Sequence, residues 1–339
     1  MFPLVKGGLD QFLKEFNELE TLPSAVVCCT EQEPFYVNAE EIDLFQNITA
    51  MLNSHNIPLY IILTSSKGNQ YDAIKKYNNV HILYWETYWI TITARQLNEY
   101  PKTINNKFVY AFISMNSFIK EHKCLLMDLL AEKDLINKGA VSWHNLNYKG
   151  HNLEYDYRYW TPEVKELSGK FLDIEDLKDL SGNLTEIFNL PIEYNQSFMS
   201  LLMESDPRNF AITEKTATPL LTGKPFLVFA CRGYHKRLKE LGFVLYDEVF
   251  DYSFDNKTTL ELRGRGIVEN IENISKLSQT ELEQLTLKLL PKLNFNKELA
   301  NKIAQDVSRV PNIFLNLINA YPNNTYFNEV KNIYFTKNH

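Results

Sequence analysis

Apolar residues fall into two kinds of run along this chain. Short continuous runs, such as Leu59-Tyr60-Ile61-Ile62-Leu63, alternate with stretches where apolar positions recur every three or four residues. The first kind predicts strands buried on both faces and the second predicts amphipathic helices. Strands are expected over Ser24–Cys29, Pro58–Thr64 and Val80–Trp85, and helices over Asp10–Leu19, Ile42–Asn53 and Gln70–Tyr77. The polar, proline-containing segment Tyr100–Lys107 reads as a linker. Beyond it come a strand over Phe108–Ser114, a long helix from about Ser117 to Asn137, and a strand from Gly139 that ends near Trp143 and His144. Residues 145–195 are rich in tyrosine and acids with weak periodicity, and read as an irregular insertion. Strand and helix character resumes over 192–203. A strand follows over Pro225–Ala230, then a helix over His235–Leu241, and the pattern from Leu260 onward is mainly helical.

Alternating strands and helices on both sides of a linker predict two α/β units with parallel sheets. The expected division is 1–104, 105–275 and a helical extension over 276–339. With 339 residues there is room for about two domains. A hydrophobic content of 45% is that of a globular protein, and no apolar run is long enough to span a membrane. The net charge of −7 argues against broad binding to a phosphate backbone, though a local basic cleft stays open. The four cysteines, Cys28, Cys29, Cys124 and Cys231, lack metal-ligand spacing. They point to reduced thiols and a cytoplasmic setting. The N-terminus carries no secretion signal pattern.

The richest chemistry lies in Thr213-Glu214-Lys215-Thr216, at the start of a short helix that ends in a Gly223 turn. Free N–H groups at a helix start favour an anion. A carboxylate can hold ribose hydroxyls, and an ammonium can hold a phosphate as a point charge. The plain alternative is a threonine cap beside a solvated ion pair.

This stretch resembles the donor-binding half of the fucosyltransferase-like (family 10) glycosyltransferases. Glu204-Ser205 stands where those enzymes carry Glu-Asn-Ser, and Thr213-Glu214-Lys215 matches their Thr-Glu-Lys. It is also similar to viral and bacterial glycosyltransferase-like proteins through Thr213–Thr216, Lys224-Pro225-Phe226 and Leu241-Gly242-Phe243. The resemblance covers roughly Phe108 to Asp255. It implies a GT-B-like α/β fold, with two Rossmann-type domains facing across a cleft and a helical C-terminal tail.

The resemblance also implies a donor pocket. Glu214 is placed on the ribose hydroxyls and Lys215 on a phosphate, with Thr213 and Glu204 beside them. Asn116 at a strand end and Lys123 on the next helix complete the set, and Lys120 is an alternative to Lys123. Lys123 stands where family 10 has arginine, so the bidentate fork is lost. The implied activity is transfer from a nucleotide sugar, GDP- or UDP-linked, to a glycan or other hydroxyl acceptor. It is expected to be inverting and to need no cofactor or metal, since no Asp-x-Asp is present. A nucleic-acid acceptor, as a modified DNA base, is the less favoured variant. A catalytically idle sugar-binding module is the competing class.

An inverting transferase needs a base on the acceptor hydroxyl. Glu86, within Tyr84-Trp85-Glu86-Thr87-Tyr88-Trp89, is the preferred candidate, because it follows a strand and lies among aromatics that can hold sugar rings. Glu31, Glu33, His144 and His151 are alternatives, and core packing is the competing reading of the aromatic run.

Overall fold

A computed structural model describes residues 2–4, 18, 23–30, 39–64, 76–97, 107–147, 155–163, 165, 167 and 190–320. The expected helices over 10–19 and 70–77 lie almost wholly outside these residues. So do most of the 100–107 linker and the alternatives Glu31, Glu33 and His151.

Two separate parallel sheets form. The first contains β1 (Phe2–Leu4), β2 (Val26–Thr30), β3 (Leu59–Leu63) and β4 (Val80–Tyr84), adjacent in that order. Helix α1 (Ala39–Ser54) links β2 to β3. The run Leu59–Leu63 is buried at four of its five positions, as a continuous apolar strand requires. The turn after β4 leads into α2 (Tyr88–Gln96).

The second sheet contains β5 (Tyr110–Ile119), β6 (Gly139–Asn147), β7 (Ser197–Met203) and β8 (Phe226–Phe229) in the order β6-β5-β7-β8. Its helices are α3 (Glu121–Glu132), the short α4 (Ile192–Gln196), α5 (Glu214–Thr222) and α6 (Tyr234–Glu240). Three further helices follow, α7 (Leu260–Ser275), α8 (Gln279–Gln305) and α9 (Asn312–Ala320). The chain therefore has the α/β class expected from its sequence, with two parallel-sheet units and a helical C-terminal part.

One apolar cluster holds the second unit together. It runs from Phe112 and Leu126 through Leu201, Leu220 and Phe229 to Ile267, Leu289 and Ile303. Helix α2 of the first unit joins it through Ile90 and packs against α5 and α8. Helix α9 returns to the first unit, where the Phe314 ring meets the Trp85 indole edge-on at 5.3 Å.

One expectation changes here. The Phe108–Ser114 strand does not stop near Asn116. It continues to Ile119 through a bulge between Asn116 and Phe118, pairing with β6 up to Asn147. The helix consequently begins at Glu121 and ends at Glu132, and Trp143 and His144 lie inside β6. The aromatic run is mainly core, as the packing reading of it expects. Trp85 is 2% exposed and Tyr88 fully buried, with their rings 5.0 Å apart.

Lys224, from the Lys-Pro-Phe motif, is structural. Its Nζ donates to the carbonyls of Tyr194 (2.6 Å) and Ser197, and lies 4.8 Å from the centre of the Tyr194 ring. That ties the start of β8 to the start of β7. Burial lowers its pKa from 10.5 to about 7. Above pH 7 the folded chain sheds this proton while the unfolded chain keeps it until about 10.5. Stability should therefore rise as pH rises through that window, and the full cost of burying the charge is present below it. Lys224→Met should flatten this part of a urea-midpoint profile taken against pH.

Candidate donor site at the switch point

Strand order β6-β5-β7-β8 places a reversal of connection direction between β5 and β7. Ligands in such sheets bind outside the carboxyl ends of the strands, in the crevice at that point. The residues that follow β5 begin with Lys120, Glu121 and His122. Those that follow β7 begin with Glu204, Ser205 and Asp206. Helix α5 lies in the connection from β7 to β8 and points its amino end at the same edge.

Lys120 is the extended N-cap of α3, and its Nζ donates to the Ser205 carbonyl at 3.1 Å. Lys215 Nζ reaches the Ser205 hydroxyl at 3.4 Å and the Glu214 carboxylate at 2.5 Å. Two ammonium groups from different elements thus converge on one serine. Lys123, in the first turn of α3, is 3% exposed and close enough to act electrostatically on His122. The His122 imidazole donates its Nε2–H to the Glu204 carbonyl at 2.8 Å, since a carbonyl can only accept. Burial, then Lys123, and more weakly Lys120 and Lys215, lower its pKa to about 3, so the ring is neutral at ordinary pH.

Thr213 caps α5, its Oγ1 accepting from the Lys215 N–H at 3.3 Å. The same hydroxyl donates to Glu204 at 2.6 Å. Glu204 also accepts from Thr216 Oγ1 at 2.6 Å, from the Tyr234 hydroxyl at 3.2 Å and from the Thr213 N–H at 3.3 Å. Glu204 is 1% exposed. Its carboxylate is an internal knot that joins the end of β7, the start of α5 and α6 through neutral donors. It does not face an open pocket. The Glu214 side chain, by contrast, is 32% exposed. Burial pushes its carboxyl up, but the adjacent Lys215 ammonium, with the Glu214 N–H and the Thr213 hydroxyl, outweighs that and holds it below the usual carboxylate range.

Asn116 stands apart. It lies within β5, 3% exposed, with its N–H donating to Ser142 Oγ at 3.0 Å and its Nδ2 to Ser114 Oγ at 3.1 Å. Glu86 also lies elsewhere, in the turn after β4. Arg237 of α6 reaches across and chelates its carboxylate through one nitrogen, at 2.9 and 3.1 Å. The pair borders a cleft of about 610 Å³ lined by Tyr84, Trp85, Glu86, Thr87, Arg237, Leu241 and Arg309. Sequence reasoning found Lys120, Lys215, Glu214, Glu204 and Glu86, and quoted Ser205 only within a motif; it missed Ser205 as the meeting point of the two lysines, Tyr234 as a donor to Glu204 and Arg237 as the partner of Glu86. Strand-end position could have flagged Ser205. Nothing local marks the face that α6 turns to the cleft.

Among the described residues no group of three His, Cys, Asp or Glu side chains is placed to hold a metal ion, and no helix is long and apolar enough to cross a membrane. No protein-family model and no curated protein matches the chain. Among solved structures it is similar to the DNA-modifying enzyme β-glucosyltransferase, studied with and without its substrate uridine diphosphoglucose. The identity is 13%, the match covers 84% of this chain and 74% of that one, and the TM-score is 0.40, too distant to assign a shared activity.

Proposed function

We propose that this chain is a glycosyltransferase that binds a nucleotide-sugar donor at the β5–β7 switch point and passes the sugar to a hydroxyl acceptor in the cleft. The observation that carries the reading is the convergence of Lys120 and Lys215 on Ser205, beside the amino end of α5 and close to Lys123. Fixed cations and a helix start at the carboxyl edge of a parallel sheet suit a diphosphate. Lys120 and Lys215 would hold the phosphates, and Glu214 would take the ribose hydroxyls. As the bond from the anomeric carbon to the diphosphate oxygen breaks, negative charge grows on the leaving group, and these ammonium groups stabilise it. Glu204 and Thr213 act in this scheme by holding α5 in place.

The acceptor would enter the cleft bordered by Glu86, a glycan being favoured over a nucleic-acid base by the net charge of −7. Glu86 would take the hydroxyl proton as the acceptor oxygen attacks, giving inversion. The ion pair with Arg237 favours a second reading, a binding module without turnover, because it occupies the carboxylate that the base needs.

The test is a panel of GDP-, UDP-, CMP- and dTDP-sugars, followed by calorimetry and by release of free nucleotide, without and then with glycan acceptors. Slow hydrolysis of one donor, persisting in EDTA, is expected. Tight binding of a donor with no hydrolysis or transfer would establish the module. Complete loss in EDTA with rescue by Mn²⁺ or Mg²⁺ would remove the metal-independent scheme.

A further inference from the structure

We infer that His122 is a positioning residue that sets the width of the switch-point crevice, and with it the placement of the lysines on its two sides. The inference rests on the donor reading above. It starts from the sheet. Among the described residues the β5–β7 ladder runs from Tyr110 and Ser197 to Ile113 and Ser200 and no further. Past that point β5 continues to Ile119 bonded to β6, and β7 continues to Met203 bonded to β8. Each strand is then held by its outer neighbour, and the gap between them opens toward its carboxyl end.

Two side-chain bridges cross the mouth of that gap. One is Lys120 Nζ to the Ser205 carbonyl at 3.1 Å, and the other is His122 Nε2 to the Glu204 carbonyl at 2.8 Å. Lys120 has a flexible stem and is itself a candidate for the diphosphate, so its bridge is exchangeable. The His122 ring is rigid and 4% exposed, and it rests near Phe229 with ring centres 6.2 Å apart. It bonds the carbonyl of the residue just before Ser205, where both ammonium groups converge. A neutral ring suits the task, because an imidazolium would add a positive charge beside Lys120, Lys123 and Lys215.

His122→Phe keeps an aromatic ring without a donor, and His122→Gln keeps an N–H of similar reach. Calorimetric titration with UDP and GDP should show wild type binding one of them. His122→Phe should bind it roughly tenfold more weakly, and His122→Gln within about threefold of wild type. In a Lys120→Ala/Lys215→Ala background His122→Phe should cost less than about twofold, because the groups it positions are gone. Equal binding by wild type and His122→Phe would overturn the inference, as would a tenfold loss that persists without both lysines, which marks general damage. Wild type that binds neither nucleotide defeats the donor reading, and the inference with it.

A measurement on the unaltered protein guards against a variant that fails to fold. ¹⁵N-histidine spectra should show the Nε2–H tautomer of His122 through neutral and mildly acidic pH. A Nδ1–H tautomer would remove the bridge and overturn the inference; an imidazolium near neutrality would keep the bridge but add a cation among the lysines, and would overturn it as well.

Discussion

Lys215→Ala is expected to weaken nucleoside diphosphate binding by about 3 kcal/mol, more than a hundredfold, while Glu214→Ala weakens it by only about 1 kcal/mol. The asymmetry follows from the 2.5 Å contact between the two side chains. In the free protein each compensates the other, with side chains 21% and 32% exposed. Removing Lys215 deletes a phosphate contact and leaves the Glu214 carboxylate beside the incoming anion. Removing Glu214 deletes the ribose contacts but releases Lys215 for the diphosphate, so part of the loss is returned. Calorimetry on both variants and the double variant decides the matter. Equal losses, or a larger loss for Glu214→Ala, would mean that Lys215 does not hold phosphate.

Glu204→Leu should cost about 3–5 kcal/mol of folding stability, the scale expected when a buried hydrogen-bonded charge is deleted and its donors are orphaned. Thr213 and Thr216 each donate to that carboxylate at 2.6 Å, and the Tyr234 hydroxyl does so at 3.2 Å. Leucine matches the volume but accepts nothing. Glu204→Gln should cost clearly less, since its amide oxygen still accepts and the hydroxyls can turn to accept from its nitrogen. Urea unfolding followed by tryptophan fluorescence measures both. If Glu204→Leu unfolds at the wild-type midpoint yet loses nucleotide binding, Glu204 belongs to the ligand surface and not to the frame beneath it.

The contrast between these two glutamates shows how far the sequence reaches. Both fall in motifs that the resemblance ties to a donor pocket, and nothing in the local pattern separates them. The structure separates them by burial: Glu204 is 1% exposed and saturated with protein donors, whereas the Glu214 side chain keeps an open flank. Glu86 is a similar case. Its place after a strand was legible, but its partner Arg237 lies 151 positions away on a helix whose cleft-facing side no periodicity reveals.

The sequence by itself determined the α/β class, the positions of β2, β3, β4 and β8, the Thr213 cap and the Gly223 stop of α5. Each of these depends on neighbours a few residues apart, through apolar runs, capping hydroxyls and a glycine at φ 73°. Tertiary structure alone decided the rest. Tyr88–Gln96 reads Tyr-Trp-Ile-Thr-Ile-Thr at its start, a β-branched alternation that favours a strand, yet it forms α2. Tyr88, Ile90, Thr91, Ile92 and Thr93 are all nearly or fully buried. When a segment packs against both α5 and α8 and most of its side chains are buried, alternation no longer marks one face, and packing overrides propensity. Strand β5 likewise runs past Asn116 because β6 is there to pair with it, and that extension carries Lys120 and His122 to the mouth of the crevice.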